Sequence, residues 1–189
     1  MKERIKGMID ESINTREKMY FLTDLIENAA KILIDAIKGG NKILVCGNGG
    51  SAAQAQHFSA ELVGRFEAER NAMPAISLTT DTSNITALGN DYGFDYVFKR
   101  QVEALGKDGD VLFCLSTSGN SKNLIDAIPE ARRKNMRVIN LLGKDGGKMK
   151  GLGDLDLIVD SNNTARIQEC HLLTIHMLAK ILEDYSFKK

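Results

Sequence analysis

Two helical segments of this 189-residue chain carry the side chains best suited to chemistry. His57 and Glu61 are spaced i, i+4, which places both on one face of a helix. Gln168 and His176 lie on a second, mostly apolar helical segment near the end of the chain. Imidazole and carboxylate groups bind zinc and also act as general acids and bases. If folding unites the two segments, these residues predict a metal site or an acid–base site.

Each of these residues also has a plainer interpretation. A His–Glu pair at this spacing is typical of a helix surface, and the apolar neighbours of His176 indicate a core residue. Gln168 and His176 are eight residues apart, so their Cα atoms lie ~12 Å apart along a helix, and both reach one ion only if their side chains lean together. His171 falls off that face, and we expect it at a surface or an interface.

Two short loops rich in glycine and hydroxyl side chains each follow an apolar run. They are Gly47-Asn48-Gly49-Gly50-Ser51 and Ser116-Thr117-Ser118-Gly119-Asn120-Ser121. Each pattern predicts a buried strand, a turn and a helix, so that backbone N–H groups and hydroxyls meet at a helix N-terminus, where a phosphate is favoured. Neither loop contains Lys or Arg, which favours recognition by N–H and O–H donors. The pair of loops indicates a phosphorylated ligand.

Two other interpretations of the loops stay open. The first loop, extended to Ala52, matches the degenerate dinucleotide pattern G-x-G-x-x-G/A. A ribose would then need an acidic partner, for which Asp81 is the candidate, and the long helix before the first strand fits this interpretation poorly. Alternatively, the loops are simple tight turns in which Ser51 and Ser121 cap helices.

The elements that must position these residues alternate along the chain. Short apolar runs predict strands near 42–46, 75–79, 110–115, 136–142 and 155–160. Helical spacing predicts helices near 51–66, 83–88, 93–105, 121–134 and 164–185. This alternation predicts an α/β fold: a doubly wound, five-stranded parallel sheet between helices. Both loops then fall at the carboxyl ends of strands, where such sheets bind ligands.

A helical arm precedes the first predicted strand. Apolar residues recur at helical spacing over residues 3–38, with a break near 14–18, and Gly39-Gly40 ends the pattern. Because an apolar face on such an arm needs a partner, we predict that residues 1–40 serve in oligomerisation.

Composition restricts the class of protein. The chain is 43% hydrophobic and 26% charged with a formal net charge of zero, so we expect one globular domain and neither nucleic acid nor a membrane as partner. We expect no signal peptide and no membrane span. The three cysteines, Cys46, Cys114 and Cys170, form no CxxC motif. We therefore expect a cytoplasmic protein with reduced core thiols.

Five stretches of the sequence together resemble the phosphoheptose isomerases, a branch of the sugar-isomerase (SIS) fold, which is flavodoxin-like. They are Cys46–Ser51, His57–Leu62, Gly89–Gly93, Ser116–Ser121 and Arg166–Glu169. The resemblance covers nearly the whole chain and implies a single SIS domain over residues 1–189. It implies conversion of D-sedoheptulose 7-phosphate to D-glycero-D-manno-heptose 7-phosphate by enediol proton transfer, the first step of nucleotide-activated heptose biosynthesis. It also implies a homotetramer with active sites at subunit interfaces.

The resemblance further implies roles for individual residues. Glu61 and His176 match the acid–base pair, and we predict Glu61 as the principal base with His176 as its partner. One Zn²⁺ per subunit is implied at His57, Glu61, Gln168 and His176. Phosphate binding is implied for Ser116, Thr117, Ser118 and Ser121, and sugar binding for Asn48, Gly49, Gly50, Ser51, Glu61, Asn90, Asp91 and Gln168.

Some positions and some functions stay open at this point. Gln54 stands where relatives often carry Asp, and Ala165 stands where some members carry Asp, which bears on substrate orientation. Arg65 matches a recurrent family position, as a substrate contact, an interface contact or a surface arginine. The alternative functions are a non-catalytic SIS protein that binds the bacterial replication initiator and another phosphosugar isomerase. A binding module has no chemical need for Glu61 and His176 together, which favours an enzyme.

Overall fold

A five-stranded parallel sheet organises the protein in the computed structural model, which describes residues 1–186. Its strands are β1 (Ile43–Gly47), β2 (Ala75–Ser77), β3 (Val111–Ser116), β4 (Arg137–Gly143) and β5 (Leu155–Val159). They lie in the order β2-β1-β3-β4-β5, and each neighbouring pair is parallel. The predicted α/β fold and the five predicted strands are confirmed. The last three residues of the predicted domain, 187–189, lie outside the described residues.

Helices connect these strands and cover both faces of the sheet. In the described part of the chain they are α1 (Lys2–Glu17), α2 (Thr23–Lys38), α3 (Gly50–Val63), α4 (Thr82–Asp91), α5 (Val97–Leu105), α6 (Lys122–Arg133) and α7 (Thr164–Ser186). A 3₁₀ turn at Lys18–Leu22 separates α1 from α2, so the predicted break in the arm exists but lies four residues further on. None of the helices in residues 1–186 is long and apolar enough to cross a bilayer.

The core consists of two layers separated by the sheet. Side chains of β3 alternate between them: Phe113 faces the layer that α2, α3 and α7 complete, and Leu112 faces the layer of α5 and α6. All six residues of β3 are buried. Burial on both faces explains why the strands show no polar alternation in sequence.

The three cysteines are buried, free thiols in this core. Cys46 and Cys114 are register partners on β1 and β3, with their Sγ atoms 3.6 Å apart. Burial, together with the neighbouring Cys114 thiol, raises the pKa of Cys46 well above its ordinary value. The Cys46 thiol therefore stays protonated, and all three cysteines pack as small apolar side chains.

Candidate active site

The site lies where the chain leaves two adjacent strands in opposite directions. After β1 the chain enters α3 on one face of the sheet, and after β3 it enters α6 on the other face. Such a switch point opens a crevice at the carboxyl edge of a parallel sheet. Asn48 and Asn123 bridge it, because each side-chain amide donates to the carbonyl oxygen of the other at 2.9 Å. The sequence does not single out Asn123, because its role depends on a hydrogen bond across the crevice to a residue 75 positions away.

The first loop brings the backbone close to α7. Gly49 adopts a φ of 56°, which glycine tolerates, and Gly50 begins α3. A Cβ on Gly50 would lie 2.3 Å from Nε2 of Gln168, so only glycine leaves room for that side chain. Ser51 is buried as the second residue of α3, so the alternative in which it caps the helix is wrong, since Gly49 holds that position.

The second loop is held by its own hydroxyl groups. The Gly119 N–H donates to Ser116 Oγ at 3.1 Å, and the Asn120 N–H donates to Ser118 Oγ at 3.2 Å. Gly119 has a φ of 62°, and a Cβ there would lie 1.9 Å from the Gly146 carbonyl oxygen. Ser121 occupies the cap position of α6 but makes no capping hydrogen bond with its side chain. The start of α6 therefore keeps donor capacity, which suits an anion.

Three side chains from α3 and α7 converge further along α3, the helix that follows the first loop. His57 Nε2 lies 3.0 Å from Glu61 Oε1 and 2.9 Å from His176 Nε2. The three donor atoms all lie within 4.8 Å of one another. His57 is exposed, and Glu61 and His176 are partly buried, so His176 is less enclosed than its apolar neighbours predict. The Phe66 ring packs on His176 with ring centroids 5.5 Å apart.

This donor set fits a zinc ion. Zinc–ligand bonds of ~2.0–2.1 Å in a tetrahedral site put the donors roughly 3.3 Å apart, close to the two separations that involve His57 Nε2. Without an ion, the 2.9 Å contact between the two Nε2 atoms is a hydrogen bond in which one imidazole donates and the other accepts. The arrangement therefore offers donor atoms for a cation and places two imidazoles and a carboxylate where they could exchange protons with a ligand.

Gln168 lies at the other end of the same helix pair. Its side chain packs against Gly50, and its backbone carbonyl accepts a 2.6 Å hydrogen bond from Gln54 Nε2. The Gln54 side chain, which departs from the family pattern, thus joins α3 to α7, a bond that an aspartate could not donate. Ala165 is exposed at the start of α7, where its N–H donates to Asn163 Oδ1.

The structure does not bring every predicted residue to this cluster. Asn90 and Asp91 are exposed in the last turn of α4, and Asn90 Nδ2 donates to Asp91 Oδ1 at 2.8 Å. Arg65 is exposed just beyond α3. Asp81 caps α4 by accepting the Asn84 N–H at 2.9 Å, so its carboxylate already has a structural role.

The expectation that His171 lies at a surface is wrong, because α7 is enclosed by the sheet and by other helices. His171 is fully buried and its Nε2 lies 3.0 Å from the Leu142 carbonyl oxygen. Burial lowers its pKa to about 4, although the bond to Leu142 opposes this shift. Its Nδ1 has no hydrogen-bond partner within residues 1–186. His171 is therefore a neutral core residue.

Comparisons with known proteins show the family to which the chain belongs. Residues 9–143 match the family model for the SIS domain. A phosphoheptose isomerase from Shewanella loihica is 54% identical, over 99% of this chain and 97% of its own. One from Helicobacter hepaticus is 52% identical over 97% and 94%. The solved structure of phosphoheptose isomerase GmhA from Neisseria gonorrhoeae superimposes with a TM-score of 0.92 at 45% identity, covering 97% of this chain and 98% of that one. The chain therefore belongs to the SIS domain family and, within it, to the phosphoheptose isomerases.

Proposed function

We propose that this protein converts D-sedoheptulose 7-phosphate to D-glycero-D-manno-heptose 7-phosphate, the first step of nucleotide-activated heptose biosynthesis. The observation that carries the proposal is the His57–Glu61–His176 cluster, in part on the helix that follows the first of two phosphate-type loops at the carboxyl edge of the sheet. The kinship with phosphoheptose isomerases supports the same substrate class.

The spacing of the site suits a sugar with its phosphate far from its reacting carbons. Gly50 and His57 are seven residues apart in α3, which corresponds to ~10 Å along the helix. In our proposal Ser116, Thr117, Ser118 and Ser121 hold the phosphate with the start of α6. The sugar lies along Asn48, Gly49, Gly50, Ser51 and Gln168 towards Glu61, and Asn90 and Asp91 complete its site.

The isomerisation needs one group for the carbon proton and another for the oxygen protons. In our proposal the Glu61 carboxylate removes the proton from one carbon and returns it to the neighbouring carbon of an enediol. The His176 imidazole moves protons between the two oxygens. His57 contacts both groups and orients them for this exchange.

We propose that His57, Glu61, Gln168 and His176 also hold one Zn²⁺ per subunit. The donor separations described above support this ligand set for its His and Glu members. When bound, the ion supplies a Lewis acid for the substrate carbonyl.

We also propose a homotetramer of single SIS domains, residues 1–189, with active sites at subunit interfaces. Four apolar side chains of α1, each about half exposed, form one face: Ile5, Met8, Ile9 and Ile13. A groove of about 660 Å³ continues from this face and is lined by Met19, Tyr20 and Met177, among others. Met177 of this groove and His176 of the site are consecutive residues of α7, so a subunit docked in the groove would contact the helix that carries His176. The three free thiols suit a cytoplasmic location.

The oligomer proposal predicts that Ile9→Glu dissociates the assembly, because a charge would then lie in an apolar contact. Light scattering coupled to size exclusion measures the mass. Glu3→Gln, on the same helix but outside the apolar face, should leave the mass unchanged. A wild-type monomer would contradict the proposal.

The decisive experiment is an isomerisation assay with sedoheptulose 7-phosphate, with and without a chelator and added zinc. Turnover that falls with chelator and returns with zinc is expected. Turnover that does not change with chelator would support the isomerase activity but contradict the metal site. A folded oligomer without turnover under every metal condition would favour the non-catalytic binding protein or an isomerase of another phosphosugar.

A further inference from the structure

Two buried charges hold the segment that follows α3, residues 64–72, which we call the α3 loop. The side chains of Arg70 and Glu183 are each 3% exposed, with Nε and Oε2 3.7 Å apart. Burying two charges is costly unless both are paired and hydrogen-bonded. Neither residue touches the phosphate-type loops, and the mechanism proposed above uses neither. Their partners indicate what they do.

Glu183 binds the backbone of the α3 loop. Its carboxylate accepts hydrogen bonds from the N–H groups of Phe66 at 3.3 Å, Glu67 at 3.2 Å and Ala68 at 2.9 Å. Burial alone raises the pKa of Glu183, but these donors and the Lys180 ammonium outweigh it, so the net pKa is below its ordinary value. The group is therefore a carboxylate at neutral pH, and it fixes three consecutive residues of the loop.

Arg70 binds the end of α3. Its Nη1 donates to the carbonyl oxygens of Leu62 at 2.8 Å and Gly64 at 3.1 Å, and its Nη2 donates to that of Glu61. Carbonyls in the last turn of a helix have no partner within the helix. A planar guanidinium has several N–H donors and can form hydrogen bonds to several of these carbonyls at once, whereas an ammonium cannot match that geometry.

The hydrogen bonds of Arg70 and those of Glu183 both hold backbone next to Glu61 and His176. Arg70 binds the backbone of Glu61 itself. Glu183 positions Phe66, whose ring packs on His176. Glu183 also follows His176 by seven residues in α7, which is about two turns along the same helix. The pair thus joins the end of α3, the α3 loop and α7, the three elements that determine how Glu61 and His176 face each other.

We propose that Arg70 and Glu183 are positioning residues for isomerisation: they set the distance between the Glu61 carboxylate and the His176 imidazole through the α3 loop. The kinetic part of this inference rests on the proposed function. The structural part concerns only the geometry of the histidines and can be tested without substrate.

The test compares Glu183→Gln with a control substitution in an ion pair far from the site. Glu183→Gln keeps the size of the side chain but places an amide NH₂ group against backbone N–H donors and removes the charge facing Arg70. We expect kcat for sedoheptulose 7-phosphate to fall roughly tenfold to a hundredfold with KM within about threefold of wild type, because misplacement affects the transition state more than binding. In NMR spectra of the metal-free protein, the ring signals of His57 and His176 should shift. His171, the third histidine of the chain, serves as an internal reference.

The control is Asp110→Asn, which breaks another buried ion pair. Asp110 pairs with Lys42 and accepts the N–H groups of Lys42 and Lys107, but it precedes β3, at the edge of the sheet opposite the site. This variant should lose stability to a similar extent while retaining kcat and all three histidine signals. A purely structural role for Glu183 would make the two variants behave alike.

Unchanged kcat and unchanged histidine signals in folded Glu183→Gln would overturn the inference. If that variant does not fold, Phe66→Leu removes the ring contact with His176 and leaves the ion pair intact. Its His176 signal should shift and its kcat should fall, and the absence of both changes would equally overturn the inference. A wild-type protein without turnover would count against the proposed function, and the NMR comparison would then decide the positioning role by itself.

Discussion

Glu61 is the residue on which the proposed proton transfer depends most. We expect Glu61→Gln to lower kcat by about 10²–10⁴-fold, the usual contribution of a general base. The fold should persist, because the carboxylate is partly exposed and its described partner is the exposed His57. Steady-state kinetics with circular dichroism measures both. Glu103→Gln, on the exposed face of α5, is the matched control. Near-normal turnover by folded Glu61→Gln would show that another residue is the base.

Gly50 tests whether the position of Gln168 matters. The three atoms nearest to a Cβ at residue 50 belong to the Gln168 amide group, which can turn away, so Gly50→Ala should fold normally. The displaced amide should weaken zinc binding roughly tenfold or more, as measured by competition with a chromogenic chelator. Gly7→Ala is the control, because a Cβ there meets nothing within 4 Å in α1. Unchanged zinc affinity in Gly50→Ala would exclude Gln168 from the ligand set.

Among the elements, the contact between two loops at the carboxyl edge of the sheet decides the shape of the phosphate site. Gly119 and Gly151 both have positive φ, so alanine at either position costs about 1 kcal/mol in backbone strain. At Gly119 the Cβ would also collide with the Gly146 carbonyl oxygen, whereas at Gly151 nothing lies within 4 Å.

Gly119→Ala should therefore destabilise the protein by at least ~1 kcal/mol more than Gly151→Ala. It should also raise KM for the phosphosugar, because the loop that holds the phosphate must move away from Gly146. Urea unfolding and steady-state kinetics test the two parts. Equal effects of both substitutions would mean that the loop contact is not rigid.

For the whole molecule, the buried His171 predicts a loss of stability in acid. The folded protein keeps His171 neutral down to about pH 4, whereas an unfolded chain protonates histidine near its ordinary pKa of 6.5. Between these values only the unfolded state gains the proton, so stability is full above pH 6.5 and falls as the pH drops towards 4. The loss should reach up to about 3 kcal/mol.

Urea unfolding at pH 7.5 and pH 5 measures this effect. His171→Gln, whose amide can still donate to Leu142, should show a smaller difference between the two pH values than wild type. Carboxylates contribute equally to both proteins, so the comparison isolates the histidine. Identical pH dependence in the two proteins would contradict the burial of His171 as a neutral side chain.

The sequence by itself determined the features that depend on residues close together in the chain. Apolar runs, glycines and hydroxyl residues predict the strands, both loops and the α/β fold, because each signal lies within a few neighbouring residues. The i, i+4 spacing likewise places His57 and Glu61 on one face of α3. Family resemblance, carried by short motifs, named the remaining candidate residues.

Only the tertiary structure decided which distant groups meet. His57 and His176 are 119 residues apart in sequence, and their contact depends on how α3 packs against α7. The same packing brings Arg70 to Glu183 and helps to bury His171, which spacing along α7 placed outside. The neighbouring positions of β1 and β3 in the sheet bring Asn48 to Asn123. Helical periodicity tells which residues share a face but not which face another element covers, because that is settled by the packing of the whole core.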